Sequence, residues 1–94
     1  MTLNRFPLVS REIAVSSSAS WDDMRARIFE EVGAYLADAR VAETYSDPAS
    51  PKRLRMTIVF ELVHPRRRLE TTEAMVIVDR AMSALEEMGA QPTA

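Results

Sequence analysis

From Leu54 to Val63 the chain alternates: Leu54, Met56, Ile58, Phe60 and Leu62 fall on one parity, while Arg55, Thr57, Val59, Glu61 and Val63 fall on the other. A period of two marks a strand with one face packed on a core and one face freer, so the rest of the chain must supply an apolar layer for the first face. At about 3.3 Å per residue this strand is roughly 30 Å long. Two basic clusters bracket it, Lys52-Arg53-Leu54-Arg55 and Arg66-Arg67-Arg68, and together they hold half of the 12 lysines and arginines in a chain of formal net charge -2. Lying at opposite ends of the strand, they cannot grip one phosphate together, but they can follow an extended polyanion.

The layer that this strand needs is visible on both sides of it. Arg11 to Ser16 reads as a first strand, with Ile13 and Val15 on its apolar side and Glu12 and Ala14 opposite. Phe6-Pro7 precedes it, where proline suits an extended approach to a strand. After the polar turn Ser16-Ser17-Ser18-Ala19-Ser20, Ser20 followed by Asp23 resembles a capping box, and Asp22 and Asp23 suit the positive end of a helix dipole. The spacing of Met24, Ile28, Val32, Tyr35 and Leu36 predicts a helix from Trp21 to Leu36, with Gly33 marking a close approach to the sheet and Trp21 acting as a packing anchor. A second strand is expected from Arg40 to Tyr45, and Ser46-Asp47-Pro48-Ala49-Ser50-Pro51 is expected to be a loop without regular structure.

Past His64-Pro65, a second helix is predicted from Thr71 to Gly89, with Met75, Val78, Met82 and Leu85 as its buried stripe and Gly89 as its C′ residue. Methionines 24, 56, 75, 82 and 88 are read as core filler. The order is β-α-β-β-α with at most a fragment of a last strand, limited by Pro92. That is the element order of an α+β, ferredoxin-like split βαβ sandwich: an antiparallel sheet with two helices on one face and a fourth strand short or absent. The 94 residues, 47% hydrophobic, suffice for one domain spanning 1–94.

Chemistry is sparse. The chain has no cysteine, one histidine and two glycines, so it offers no thiolate, no histidine-built zinc site and no glycine-rich phosphate loop. His64 has no acid or nucleophile beside it and reads as a strand-end residue, the serines of 16–20 have no general base nearby, and neither an enzyme nor a cofactor is expected. No apolar run approaches the roughly 20 residues of a membrane span, and the first residues lack the apolar stretch of a signal peptide, so a cytoplasmic protein with no membrane partner is expected.

The residues suited to binding lie on the second strand and in the basic clusters. Glu43 and Tyr45 share a parity, and if Ala42 and Thr44 pack beneath the helices, Glu43 and Tyr45 face outward with Arg55. There an aromatic ring can stack on a base, a carboxylate can accept from a base edge and an arginine can meet phosphate. Periodicity alone favours the plainer alternative, a solvated sheet face with one cross-strand ion pair. Arg66-Arg67-Arg68 is either a solvated connection or a phosphate contact.

Several stretches in order resemble a known family. Phe6-Pro7-Leu8-Val9-Ser10-Arg11-Glu12-Ile13-Ala14 is similar to the Phe-Pro-x-x-x-Arg-Asp-Leu-Ala opening of the ferredoxin-fold anticodon-binding domain, the C-terminal module of the phenylalanyl-tRNA synthetase beta subunit. Ala42-Glu43-Thr44-Tyr45 stands where that family has Phe-Asp-Val-Tyr, and Arg55-Met56-Thr57-Ile58-Val59-Phe60 where it has Ser-Leu-x-Phe-x-Leu. His64-Pro65-Arg66-Arg67-Arg68-Leu69 resembles its Ser-Pro-Asp-Arg-Thr-Leu turn, and Glu73, Leu85-Glu86 and Gly89-Ala90 follow its last helix. The resemblance covers about residues 5 to 90.

It implies a non-catalytic tRNA-binding domain whose partner is the anticodon stem-loop of phenylalanine tRNA, within a larger synthetase or free-standing. Tyr45 would be the stacking residue, Glu43 would replace an aspartate that reads a base edge, and Arg55 would replace a nearby serine. Lys52, Arg53, Arg66, Arg67 and Arg68 would add RNA contacts. The alternative is a ferredoxin-like protein-interaction or dimerisation module that has lost RNA binding.

Overall fold

The computed structural model describes residues 7–93, so the expectation on Phe6 lies outside the described residues. Six elements follow in order: β1 (Val9–Ser17), α1 (Trp21–Val32), β2 (Leu36–Asp47), β3 (Ser50–Leu62), α2 (Thr71–Glu87) and β4 (Gln91–Pro92). The sheet is antiparallel, in the order β2-β3-β1-β4. This α+β arrangement, a four-stranded antiparallel sheet with two helices, is compatible with a ferredoxin-like fold. The fourth strand is present and short, its two residues pairing with Val15 and Ser16 of β1.

The alternation in β3 governs the layering. Met56, Ile58, Phe60 and Leu62 are buried and pack with Met24, Ile28 and Val32 of α1 and with Ala74, Ile77, Val78, Ala81 and Leu85 of α2. Residues directly opposite in the ladder share a face, so Val9, Ile13 and Val15 of β1 join this side. Ser10, Glu12, Ala14 and Ser16 fall on the open side with Arg55, Thr57, Val59 and Glu61. Val59, on the freer parity, is nevertheless buried, because on this central strand it lies between Glu12 and Arg40 of its two neighbours.

Helix α1 begins where expected, the Ser20 hydroxyl accepting from the Asp23 amide at 3.2 Å. It ends earlier. A single 3-10 turn, Gly33–Tyr35, intervenes, and Leu36 opens β2. A side chain at Gly33 would meet only the Phe29 ring, at ordinary contact distance, so this glycine marks no close approach to the sheet. Trp21 packs against the core as an anchor.

Helix α2 is rotated from the expected stripe. Ala74, Ile77, Val78, Ala81 and Leu85 face inward, while Met75 is 56% exposed. Both stripes satisfy a 3.6-residue period and share Val78 and Leu85, but Ala74 and Ala81 stand one residue round the helix in place of Met75 and Met82; with Ala84, the observed stripe puts three alanines toward the layer beneath. Of the remaining methionines, 24 and 56 are buried and 82 and 88 are partly buried.

The helix ends in a Schellman arrangement. Gly89, at φ 93°, donates to the Glu86 carbonyl at 2.9 Å, and Ala90 donates to the Leu85 carbonyl at 3.0 Å.

The largest departure lies between β2 and β3. The segment expected to be irregular is a tight hairpin: only Pro48 and Ala49 form the turn, and Asp47 pairs with Ser50. Asp-Pro begins the turn, the Asp47 carboxylate accepting from the Ala49 amide at 2.9 Å. Pro51 is tolerated because the register passes from Asp47↔Ser50 to Ser46↔Leu54, leaving residues 51–53 in a bulge where no ladder donor is required. The 13 residues of β3 extend roughly 43 Å, close to the molecule's longest dimension of 44 Å.

Candidate nucleic-acid interface

The hairpin end of the sheet carries most of the residues suited to binding. Glu43 and Tyr45 occupy the open face, opposite Thr57 and Arg55 respectively. Tyr45 is 54% exposed. The expectation that Ala42 and Thr44 pack beneath the helices fails: both are exposed, as are all residues from 42 to 46. A bulge between Val41 and Glu43 resets the parity of β2, and Leu54, on the core side of β3, is itself 46% exposed there. This part of the hairpin therefore lacks the cover that the core gives to the rest of the sheet.

The first basic cluster divides into three different environments. Lys52 is exposed and forms no ion pair among the described residues. Arg53 is turned inward. Its Nε donates to the Ser16 hydroxyl at 3.0 Å, and its Nη2 donates to the Ser16 carbonyl and, at 2.9 Å, to the Gly89 carbonyl. It thereby ties β3 to β1 and to the carbonyl-rich end of α2, where a cation is favoured.

Arg55 is half-buried, with Nε 3.4 Å from an Asp47 carboxylate oxygen but out of line for a hydrogen bond. Its Nη atoms make no hydrogen bond to a described residue.

Asp47 links these groups. It is 7% exposed, accepts from the Ser16 hydroxyl and the Ala49 amide, and faces Arg55. Its carboxyl is held below the ordinary aspartate range, chiefly by the Ser16 hydroxyl and then by the Ala49 amide; Arg55 and Arg53 add to this and burial opposes it. The residues form a chain of contacts from the end of α2 through Arg53, Ser16 and Asp47 to Arg55. Ser16 and Asp47 had no place in the sequence-based site. The Asp47-Pro48 turn signal was readable, but the partner of its carboxylate, 31 residues earlier, was not.

The second cluster is a bend after β3. Arg66 and Arg68 are exposed and form no ion pair among the described residues. Arg67 makes a two-pronged ion pair with Glu73, whose other contact is the Glu70 amide at 3.1 Å. Those two donors, Arg67 first, pull the Glu73 carboxyl down to about 2. His64 sits at the strand end as expected, with its Nδ1 accepting from the Arg66 amide at 3.0 Å and its ring 5.8 Å from that of Tyr35.

Between the clusters the open face is not a continuous positive track. Glu12, Glu43 and Glu61 lie on it with Arg40, and Arg40 is paired with Glu61 at 3.0 Å. Positive charge is thus concentrated at the two ends of β3, with carboxylates between.

Among the described residues no group of three or more His, Asp or Glu is placed to hold a metal, and no helix is long and apolar enough to cross a membrane. In comparisons with known proteins, neither a family model nor a curated protein matches the chain.

Proposed function

We propose that this chain is a non-catalytic tRNA-binding domain resembling the anticodon-binding module of the phenylalanyl-tRNA synthetase beta subunit, built on a ferredoxin-like split βαβ scaffold. The observation that carries this reading is the exposed Tyr45 ring lying opposite Arg55 on the open face, with Glu43 on the same side of the same strand. An exposed ring beside a guanidinium with unpartnered Nη atoms suits an unstacked base and its phosphate. Lys52 supplies a further phosphate contact at this end, and Arg66 and Arg68 supply contacts at the other. Arg53 acts from within, holding the sheet rather than meeting RNA, and Arg67 is largely committed to Glu73.

The test is a titration with phenylalanine tRNA and a non-cognate tRNA at several salt concentrations. Binding should weaken as salt rises, and Tyr45→Ala should cost roughly 1–3 kcal/mol where the ring stacks on a base. Absence of binding near physiological salt defeats the proposal. The carboxylates on the open face and the exposed outer edge of β2 favour a second reading, a protein-interaction or dimerisation module; a dimer by light scattering together with no RNA binding would select it.

A further inference from the structure

We propose that Asp47 is a positioning residue for Arg55, holding its guanidinium so that the Nη atoms face an RNA phosphate; this rests on the RNA-binding reading above. A buried carboxylate is costly unless it is hydrogen-bonded and faces a cation. Asp47 meets both conditions, through Ser16, Ala49 and Arg55. The hydrogen bonds from Ser16 and Ala49 fix the carboxylate, and the fixed carboxylate approaches Arg55 at its Nε, 3.4 Å away.

A long side chain tethered near its middle loses less freedom when its end binds a ligand, which is how preorganisation adds affinity without a new contact. Tyr45, opposite Arg55 in the ladder, stands on the same face and borders the same ligand. The network also explains why an acidic residue occupies the end of the hairpin nearest the proposed RNA site. Its charge opposes a polyanion in general but serves one arginine in particular.

That opposition makes the sign of the test informative. Removing a carboxylate from a surface that receives phosphate should by itself tighten binding. Asp47→Asn is instead expected to weaken binding of the phenylalanine tRNA anticodon stem-loop by on the order of fivefold. It should also flatten the salt dependence, whereas Glu12→Gln should leave affinity unchanged or raise it.

In an Arg55→Met background, Asp47→Asn should have no further weakening effect, because Asp47 acts through Arg55. A merely structural role would lower thermal stability but leave the two substitutions additive. Where Asp47→Asn fails to fold, Ser16→Ala removes one fixing hydrogen bond, together with the Arg53 Nε contact to the same hydroxyl, without changing charge; once the fraction folded is accounted for, its smaller weakening should likewise vanish with Arg55→Met. Unchanged or tighter binding by Asp47→Asn, or additivity with Arg55→Met, overturns the positioning role and leaves RNA binding standing. A wild-type chain that binds no RNA overturns both.

Discussion

In the cluster Lys52–Arg55, two of the three cations are built into the sheet, one of them touching β1 and the end of α2. In Arg66–Arg68 a single arginine is paired, and its partner Glu73 lies only six residues away. The sequence makes the two clusters look interchangeable. The difference comes from where each falls: residues 51–53 bulge at the rim of a hairpin, where side chains can turn back across neighbouring strands, whereas residues 66–68 follow the strand, and of them only Arg67 forms an ion pair, with Glu73 in the first turn of α2. Equal charge therefore serves different ends, holding the fold together at one end of β3 and facing solvent at the other.

The largest effect should come from Arg53. Arg53→Ala strips hydrogen bonds from two carbonyls and a hydroxyl, and the donor lost is charged, so a loss of about 2 kcal/mol in urea unfolding is expected. A loss no greater than that of Arg66→Ala would remove the distinction between the clusters.

Acid titration sharpens the comparison, because each cluster faces a carboxylate whose folded-state pKa is depressed: Asp47 at one end and Glu73 at the other. A depressed carboxylate contributes stability that is present above its unfolded pKa and is lost as pH falls toward the folded value. For Glu73 the window runs from the ordinary 4.5 down to about 2. Glu73→Gln and Asp47→Asn should each flatten the acid limb of unfolding stability against pH, and combining them should flatten it further, since the two sites share no contact. A wild-type slope retained in Glu73→Gln would show that its pairing with Arg67 does not survive in solution.

What could be read in advance was local. Ser20 and Asp23 are three residues apart, Gly89 closes its own helix, and the even-numbered residues of β3 need only their own period. The expected site residues Glu43, Tyr45 and Arg55 do lie on one face, because strand parity and ladder register are both short-range rules, even though the helix cover expected over Ala42 and Thr44 is missing. The inward turn of Arg53 and the burial of Asp47 depend on Ser16 and Gly89, which only the closed sheet brings near. Met75 was misplaced for a different reason: two stripes of α2 had the same period, and only packing could choose the one carrying Ala74 and Ala81.

The smallest effects belong to the exposed arginines, and they bear most directly on the contrast between holding and contacting. Arg66→Ala and Arg68→Ala should each alter unfolding stability by no more than about 0.5 kcal/mol, as exposed substitutions without buried partners do. If these side chains meet phosphate, each variant should still weaken tRNA binding, uniformly across RNA sequences, and reduce the slope of log affinity against log salt by roughly one. Arg53→Ala should show the opposite pattern, a large stability change with little change in that slope once the fraction folded is accounted for. Finding the slope change at Arg53 and not at Arg66 or Arg68 would reverse the assignment of the two clusters.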